Sequence, residues 1–500
     1  MTDGSSGSRL GHATLQGVRW VAVGRVATET IAFGSGIVLA RLVPPAEFGR
    51  AAVAMIVVAL AAILGPVGLT AVLIQRKSVD RCDLEAASFL SLVSGVVLTA
   101  ATLAFAHAGA PSVFGGETAR LIGLASPAWL ISAISAVPQA QIQRDLRFQV
   151  VAVIDSVSVL AGAAVALGLA AGGVDAAAVV AGGLATTATG TVIAVLAAPS
   201  ARPRPNREGL ANVGGFAASV SASSLVYSMF RNVDYAILGI RLAPRAVGLY
   251  WRAYQLGVDY QSKISQIMLR VAFPVYSRTE SMDELRRFRR RIVRTHAVVV
   301  VPLMCFFIAI APELVPRVYG GAWRGAVGPA QIMAVAGMAY SIATGTGPLM
   351  VAVGKPRALL VWNLCELVLY AILVALLAPH GLTAVAIGVS CFAAGSLLVI
   401  QVFLLRPYAG LPVRGLLDDI TPGVVAGGGV LGVLALVRVG LGGDVGGVSL
   451  VAVLAVVGAA VYAVVLRALF ASEWRDLESI VRRLGSRRAV HEQPLEGPVS

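Results

Sequence analysis

Residues 149–198 read QVVAVIDSVSVLAGAAVALGLAAGGVDAAAVVAGGLATTATGTVIAVLAA, two long apolar runs separated by Gly172-Gly-Val-Asp175. Each is long enough to carry a helix across a hydrocarbon core, which takes roughly 20 residues. The short alternating segments of a membrane barrel are missing, so the pair reads as a helical hairpin in lipid. Runs of the same kind extend in both directions. Toward the N-terminus they lie near 15–40, 49–75, 86–107 and 119–143, completing a first set of six with 149–172 and 175–198. Beyond the basic, proline-rich linker Arg202-Pro-Arg-Pro-Asn-Arg207 come runs near 212–240, 247–273, 291–318, 326–353, 357–379 and 382–406. Two Gly/Val-rich runs, near 420–442 and 447–470, follow Arg414 to Asp419 as an appended hairpin. The expectation is an all-α integral membrane protein of about fourteen transmembrane helices.

Composition agrees. The 500 residues are 57% hydrophobic and 13% charged, with a mean hydropathy of +0.82, outside the range of soluble domains. Met1 to His12 is polar, and the first apolar run lacks a small-residue cleavage pattern, so no removable signal peptide is expected. Of the four cysteines, Cys305, Cys365 and Cys391 fall inside apolar runs and Cys82 in a short loop, which supports neither a disulfide framework nor a metal site. The net charge of +14 does not point to nucleic acid, because the basic residues are spread by loop side. With a cytoplasmic N-terminus, most of the 40 Lys and Arg fall on the cytoplasmic side, as the positive-inside rule requires. That places residues 1–14, the linker 201–211 and the basic tail 471–500 in the cytoplasm. Arg286, Arg287, Arg289, Arg290, Arg291 and Arg294 form the strongest cluster. They are read first as topology determinants and second as contacts to anionic membrane lipids.

The two six-run segments, 15–200 and 212–406, resemble each other. Arg41-Leu-Val-Pro44 recurs as Arg241-Leu-Ala-Pro244, and Val113-Phe-Gly-Gly116 as Val318-Tyr-Gly-Gly321. Arg144-Asp-Leu-Arg147 and Lys355-Pro-Arg357 open the fifth run of each, and Gly173-Val-Asp-Ala and Gly381-Leu-Thr-Ala the sixth. An even number of spans per repeat makes the repeats parallel, and two such bundles leave a central cavity.

Ionised groups inside these runs are expensive, each about 2.5–3.5 kcal/mol at the bilayer centre by insertion scales. Arg25 and Glu29 share one face of the first span, and Arg231 and Asp234 stand three apart in the seventh. The eighth adds Arg252, Asp259 and Lys263, while Asp155 and Glu366 occupy the fifth and eleventh. One reading makes these ion pairs that fix helix packing. The other lines a water-filled cleft with Arg25, Glu29, Arg231, Asp234, Arg252, Asp259 and Lys263 and uses them to hold an anionic group, with Asp155 and Glu366 as ion-coupling candidates. Gly65-Pro66, Ser126-Pro127, Pro138 and Gly345 to Pro348 interrupt spans as kinks or close-packing points. Phosphate-loop and metalloprotease motifs are missing, so neither an enzyme nor a cofactor is expected.

Several stretches together resemble the polysaccharide-transport branch of the multidrug/oligosaccharidyl-lipid/polysaccharide exporter superfamily. They are Arg41-Leu-Val-Pro-Pro-Ala-Glu-Phe-Gly49, Gly68-Leu-Thr-Ala-Val-Leu-Ile-Gln75, Gln143-Arg-Asp-Leu-Arg-Phe148, Arg231-Asn-Val-Asp-Tyr235, Gly248-Leu-Tyr-Trp-Arg-Ala-Tyr254 and Val318-Tyr-Gly-Gly-Ala-Trp323. The resemblance implies two six-helix bundles around a cavity that passes undecaprenyl-pyrophosphate-linked oligosaccharide from the inner to the outer leaflet of the cytoplasmic membrane. It also implies a polysaccharide polymerase and glycosyltransferases as partners, and cavity roles for Arg25, Glu29, Arg231, Asp234 and Lys263. Three other readings stay open: a lipid II flippase, a multidrug/cation antiporter, and a non-transporting scaffold of a polysaccharide synthase complex.

Overall fold

The computed structural model describes residues 24–61, 70, 73, 74, 76, 78–198, 201–206, 208–210, 229, 232–266, 276, 281–441 and 448–485. Among them the chain is helical, with no strand. In order the helices are α1 (24–42), α2 (Pro45–Ala61), α3 (Arg81–Ala108), α4 (Gly116–Ala125), α5 (Ala128–Arg144), α6 (Phe148–Ala171), α7 (Ala176–Ala197), α8 (232–241) and α9 (Pro244–Tyr254). There follow α10 (Met282–Tyr319), α11 (Val327–Ala343), α12 (Thr346–Ala352), α13 (Pro356–Leu377), α14 (Leu382–Val399), α15 (Val413–Gly440), α16 (Val448–Leu469) and α17 (Ala471–Gly485).

Ten described segments are long and apolar enough to cross a membrane, which makes this a multi-pass membrane protein. They coincide with ten of the fourteen expected spans. The other four, the first, second, seventh and eighth, are described only in part, as α1, α2, α8 and α9. Large aliphatic side chains cover the outside: Leu196 and Val439 are each 81% exposed, as suits a helix whose solvent is hydrocarbon. Inside, small residues let helices approach closely. Ala51 and Ala54 of α2 pack with Ala106 of α3, Ala119 and Ile122 of α4 and Val180 of α7.

Contacts divide the chain into two compact units. The first holds Met1–Arg252, Val318–Ala326 and Asn363–Val385, the second Ala253–Arg317, Val327–Trp362 and Ala386–Ser500.

In the first unit the repeated motifs meet. Proline opens both α2 and α9, its missing N–H costing nothing at a first helical position. Four residues on, Gly49 faces the Pro244 carbonyl and Gly248 faces the Pro45 carbonyl, so the two helix starts cross backbone to backbone. The repeat register is therefore Pro45 with Pro244 and Gly49 with Gly248, one residue off the alignment of Arg41 with Arg241. The extra proline of Pro44-Pro45 absorbs that residue. Around the crossing, Arg41 Nε donates to the Val318 carbonyl (2.9 Å) and Trp323 Nε1 to the Ala40 carbonyl (2.7 Å). The Arg-Asp-Leu-Arg turn closes helix ends: Arg144 donates to the carbonyls of Leu73 (2.8 Å) and Arg76 (2.7 Å), and Arg147 to Ala197 (2.7 Å) at the C-terminus of α7.

In the second unit the arginine cluster is largely engaged by protein. Gly345, at φ +86°, breaks the helix between α11 and α12 and frees carbonyls there. Buried Arg289 fills the break, donating to the carbonyls of Thr344 and Ile342 (3.0 Å). Arg290 grips buried Asp419 of α15 through two nitrogens (2.9 and 3.1 Å), and Arg294 bridges Asp419 and Glu473 of α17 (3.2 Å each). Arg287 and Arg291 stay exposed. Trp474 and Leu477 of α17 pack on Val298, Ala426 and Leu466, which seats this amphipathic helix on α10, α15 and α16.

Candidate functional site

Helix α1 lies tightly on α6. Gly24 meets Ala152, where an added Cβ would come 2.7 Å from the alanine methyl. Ser156 Oγ donates to the Gly24 carbonyl (3.3 Å) and shares a contact with Thr28 Oγ1 (3.4 Å). This seating aims Arg25 and Thr28 into a cavity of about 450 Å³ inside the first unit. Helix α5 contributes Ser132, Ser135 and Gln139 to it, α6 contributes Asp155 and Ser158, and α7 contributes Thr186 and Thr187. In an apolar solvent such a lining is costly unless it meets water or a polar ligand.

The charges are arranged unevenly. Arg25 pairs with Glu29 one turn along α1 (3.0 Å), both side chains partly exposed. Asp155 faces the same cavity from α6. One guanidinium thus stands against two carboxylates, so the cavity is polar without being strongly cationic.

The other expected site residues lie elsewhere. Asp234 on α8 is 1% exposed and outside this cavity. It accepts from Tyr250 (2.6 Å), Tyr370 (3.0 Å) and the Tyr235 N–H (2.9 Å). Those donors satisfy a buried carboxylate directly. Arg252, also 1% exposed, is sheathed by aromatic rings. Its guanidinium carbon stands 4.3 Å from the Tyr319 ring centre, 4.9 Å from those of Trp251 and Trp323 and 5.6 Å from that of Phe48. Phe48 in turn stacks on Trp251 (5.6 Å) and meets Trp323 edge-on (5.3 Å). Arg252 therefore belongs to the motif crossing and not to the polar cavity. Glu366 is half-buried on α13. Asp259 and Lys263, in the second unit, are half-buried, Asp259 on the π-turn Gln255–Asp259 and Lys263 over the Tyr260 ring (5.2 Å). Arg231 lies outside the described residues.

Asp155, an ion-coupling candidate by sequence, lines the cavity together with Arg25. The hydroxyl and amide lining was not anticipated, although its signal is present. Ser132, Ser135 and Gln139 stand at i, i+3 and i+7, and Asp155 and Ser158 at i and i+3, each a polar stripe on one helix face.

Known proteins share this architecture. A solved lipid II flippase in an inward closed conformation superposes with a TM-score of 0.72, covering 91% of this chain and 99% of that one at 13% identity. An inward-facing multidrug resistance MATE family transporter of the MOP superfamily does so at 0.60, covering 77% and 95% at 16% identity. At these identities the likeness shows the fold. Among sequences, the lipopolysaccharide biosynthesis protein WzxC of Escherichia coli is 24% identical, over 69% of this chain and 70% of its own. The teichuronic acid biosynthesis protein TuaB of Bacillus subtilis is also 24% identical, over 71% and 74%. The profile of the family described as polysaccharide biosynthesis protein matches residues 38–328, more than half of the chain, and the chain belongs to that family.

Proposed function

We propose that the chain is a flippase that moves undecaprenyl-pyrophosphate-linked oligosaccharide repeat units from the inner to the outer leaflet of the cytoplasmic membrane, for surface polysaccharide synthesis. The observation that carries this reading is the polar cavity lined by Arg25, Asp155 and several hydroxyl and amide side chains inside an apolar helical unit, in a chain of a polysaccharide biosynthesis family. Such a cavity lets a hydrophilic headgroup leave water while its prenyl tail stays in hydrocarbon. The fold shared with transporters supports two six-helix bundles, with spans thirteen and fourteen appended, that rock between inward-open and outward-open states. Both termini stay cytoplasmic in this topology.

No bond is made or broken, so the chain acts as a transporter and not as an enzyme. The membrane potential, worth about 2.3 kcal/mol per charge per 100 mV, favours outward movement of an anionic cargo. A proton or sodium ion taken up at Asp155 or Glu366 is a second source of drive. Glycosyltransferases supply the cargo and a polymerase consumes it.

Cells depleted of the protein are expected to accumulate lipid-linked oligosaccharide on the cytoplasmic leaflet and to lose surface polysaccharide. Wild-type protein restores export, while Arg25→Gln, inserted at normal level, restores less than a tenth of it, about the effect of losing one ionic interaction. Unchanged surface polysaccharide on depletion removes the reading and favours a scaffold or drug exporter.

A further inference from the structure

We propose that the polar cavity of the first unit receives a sugar ring of the cargo and not its pyrophosphate. The proposal deepens the flippase reading and rests on it. Three observations carry it.

The first is charge. The cavity's guanidinium is already paired with Glu29 at 3.0 Å, and Asp155 faces the same space. A pyrophosphate placed there meets the Asp155 carboxylate and a guanidinium whose charge Glu29 already shares, which disfavours it.

The second is the direction of the hydrogen bonds. The hydroxyls of Thr186 and Thr187 donate back to the carbonyls of Gly182 (3.0 Å) and Gly183 (3.1 Å) within α7. Ser135 donates to Ser132 (3.0 Å), and the Gln139 amide nitrogen donates to Ser135 (3.1 Å). The hydroxyl donors of Thr186, Thr187 and Ser135 are thus engaged within the protein, which leaves these side chains to act on a ligand as acceptors, on a lining that also holds the Asp155 carboxylate. Ser158, 5% exposed, borders the same space, and its buried Oγ has no hydrogen-bond partner in the structure. Hydroxyls held as acceptors beside a carboxylate suit a ligand that brings O–H donors. A sugar ring brings several hydroxyls, whereas a pyrophosphate brings only acceptors. The two oxygens of Asp155 match the spacing of a vicinal diol.

The third is size. About 450 Å³ lies within the range of organic ligand pockets, roughly 300–1,000 Å³, and is far more than a single cation needs. Nor is there a group of three or more His, Cys, Asp or Glu able to hold a metal among the described residues.

The test uses the full-length purified protein in nanodiscs. Its probes are polyprenyl pyrophosphate bearing glucose, galactose or N-acetylglucosamine, and the bare polyprenyl pyrophosphate. At least one sugar-bearing lipid is expected to bind about tenfold tighter than the bare lipid. Asp155→Asn, and separately Thr187→Val with Ser158→Ala, bring that ratio to within about twofold of unity, the loss falling on the sugar-bearing lipid. Equal binding of all four lipids, or variants that weaken bare and sugar-bearing lipids alike, overturns the proposal, leaving a water-filled cavity. Binding and movement separate the two readings. Sugar-selective binding without transbilayer movement removes the flippase and keeps the pocket, and movement without selectivity does the reverse.

Discussion

Gly248→Val is expected to remove folded protein from the membrane, while the same substitution at Gly428 is tolerated. At position 248 an added Cβ comes 2.9 Å from the carbonyl carbon of Pro45 and 3.1 Å from the Gly49 nitrogen. At Gly49 it comes 2.7 Å from the Pro244 carbonyl carbon. Backbone cannot rotate aside as a side chain can, and proline fixes φ at the start of both crossing helices. Overpacking a core by a methylene or so costs about 1–3 kcal/mol, so three carbons driven into backbone are expected to cost ~3 kcal/mol or more. Gly428 meets nothing within 4 Å and serves as the control. Detergent-extracted yield and the thermal unfolding midpoint check this. A Gly248→Val protein that extracts and melts like wild type contradicts the crossing.

Arg252→Ala is expected to lower stability by about 2–4 kcal/mol, with Arg252→Lys intermediate. The guanidinium lies among four rings, and each desolvated cation–π contact is worth up to about 2 kcal/mol, though not additively. Lysine keeps the charge and loses the planar stacking. Tryptophan emission reports the change, because Trp251 and Trp323 both face the cation. An unchanged emission maximum and an unchanged unfolding midpoint in Arg252→Ala contradict a packing role and return Arg252 to the ligand-binding candidates.

These two sites show what the sequence reveals and what it conceals. Apolar run length located the spans because hydrocarbon thickness imposes it on each helix separately, and ten described helices fall where those runs do. Intramembrane charge was legible as a class and not residue by residue. Arg25 and Glu29 stand one helical turn apart in the sequence, and they pair in space. Arg252 was grouped with Asp259 and Lys263 by proximity along the chain, yet its neighbours are Phe48, Tyr319 and Trp323, hundreds of residues away in part. Only the fold brings those rings together. Past the Arg-Leu-x-Pro repeat, a doubled proline hides a one-residue insertion that the Gly49–Gly248 crossing exposes. The serine, threonine and glutamine lining is not legible in the sequence because such residues are also common packing and helix-bonding groups in membranes, and their convergence depends on three helices at once. The arginine cluster was read by its sum. Its members divide between Arg286 and Arg289, which donate to carbonyls, Arg290 and Arg294, which hold Asp419, and Arg287 and Arg291, which face outward.

Transbilayer movement by the purified protein alone tests the central claim most directly. Full-length protein is reconstituted into sealed vesicles carrying polyprenyl-pyrophosphate-linked oligosaccharide, and the fraction of sugar reached by an impermeant oxidant or lectin is followed in time. Movement that depends on the protein and falls at least about tenfold in Arg25→Gln vesicles is the predicted result. Exposure in protein-containing vesicles no faster than in empty ones, with the protein correctly folded and inserted, contradicts it.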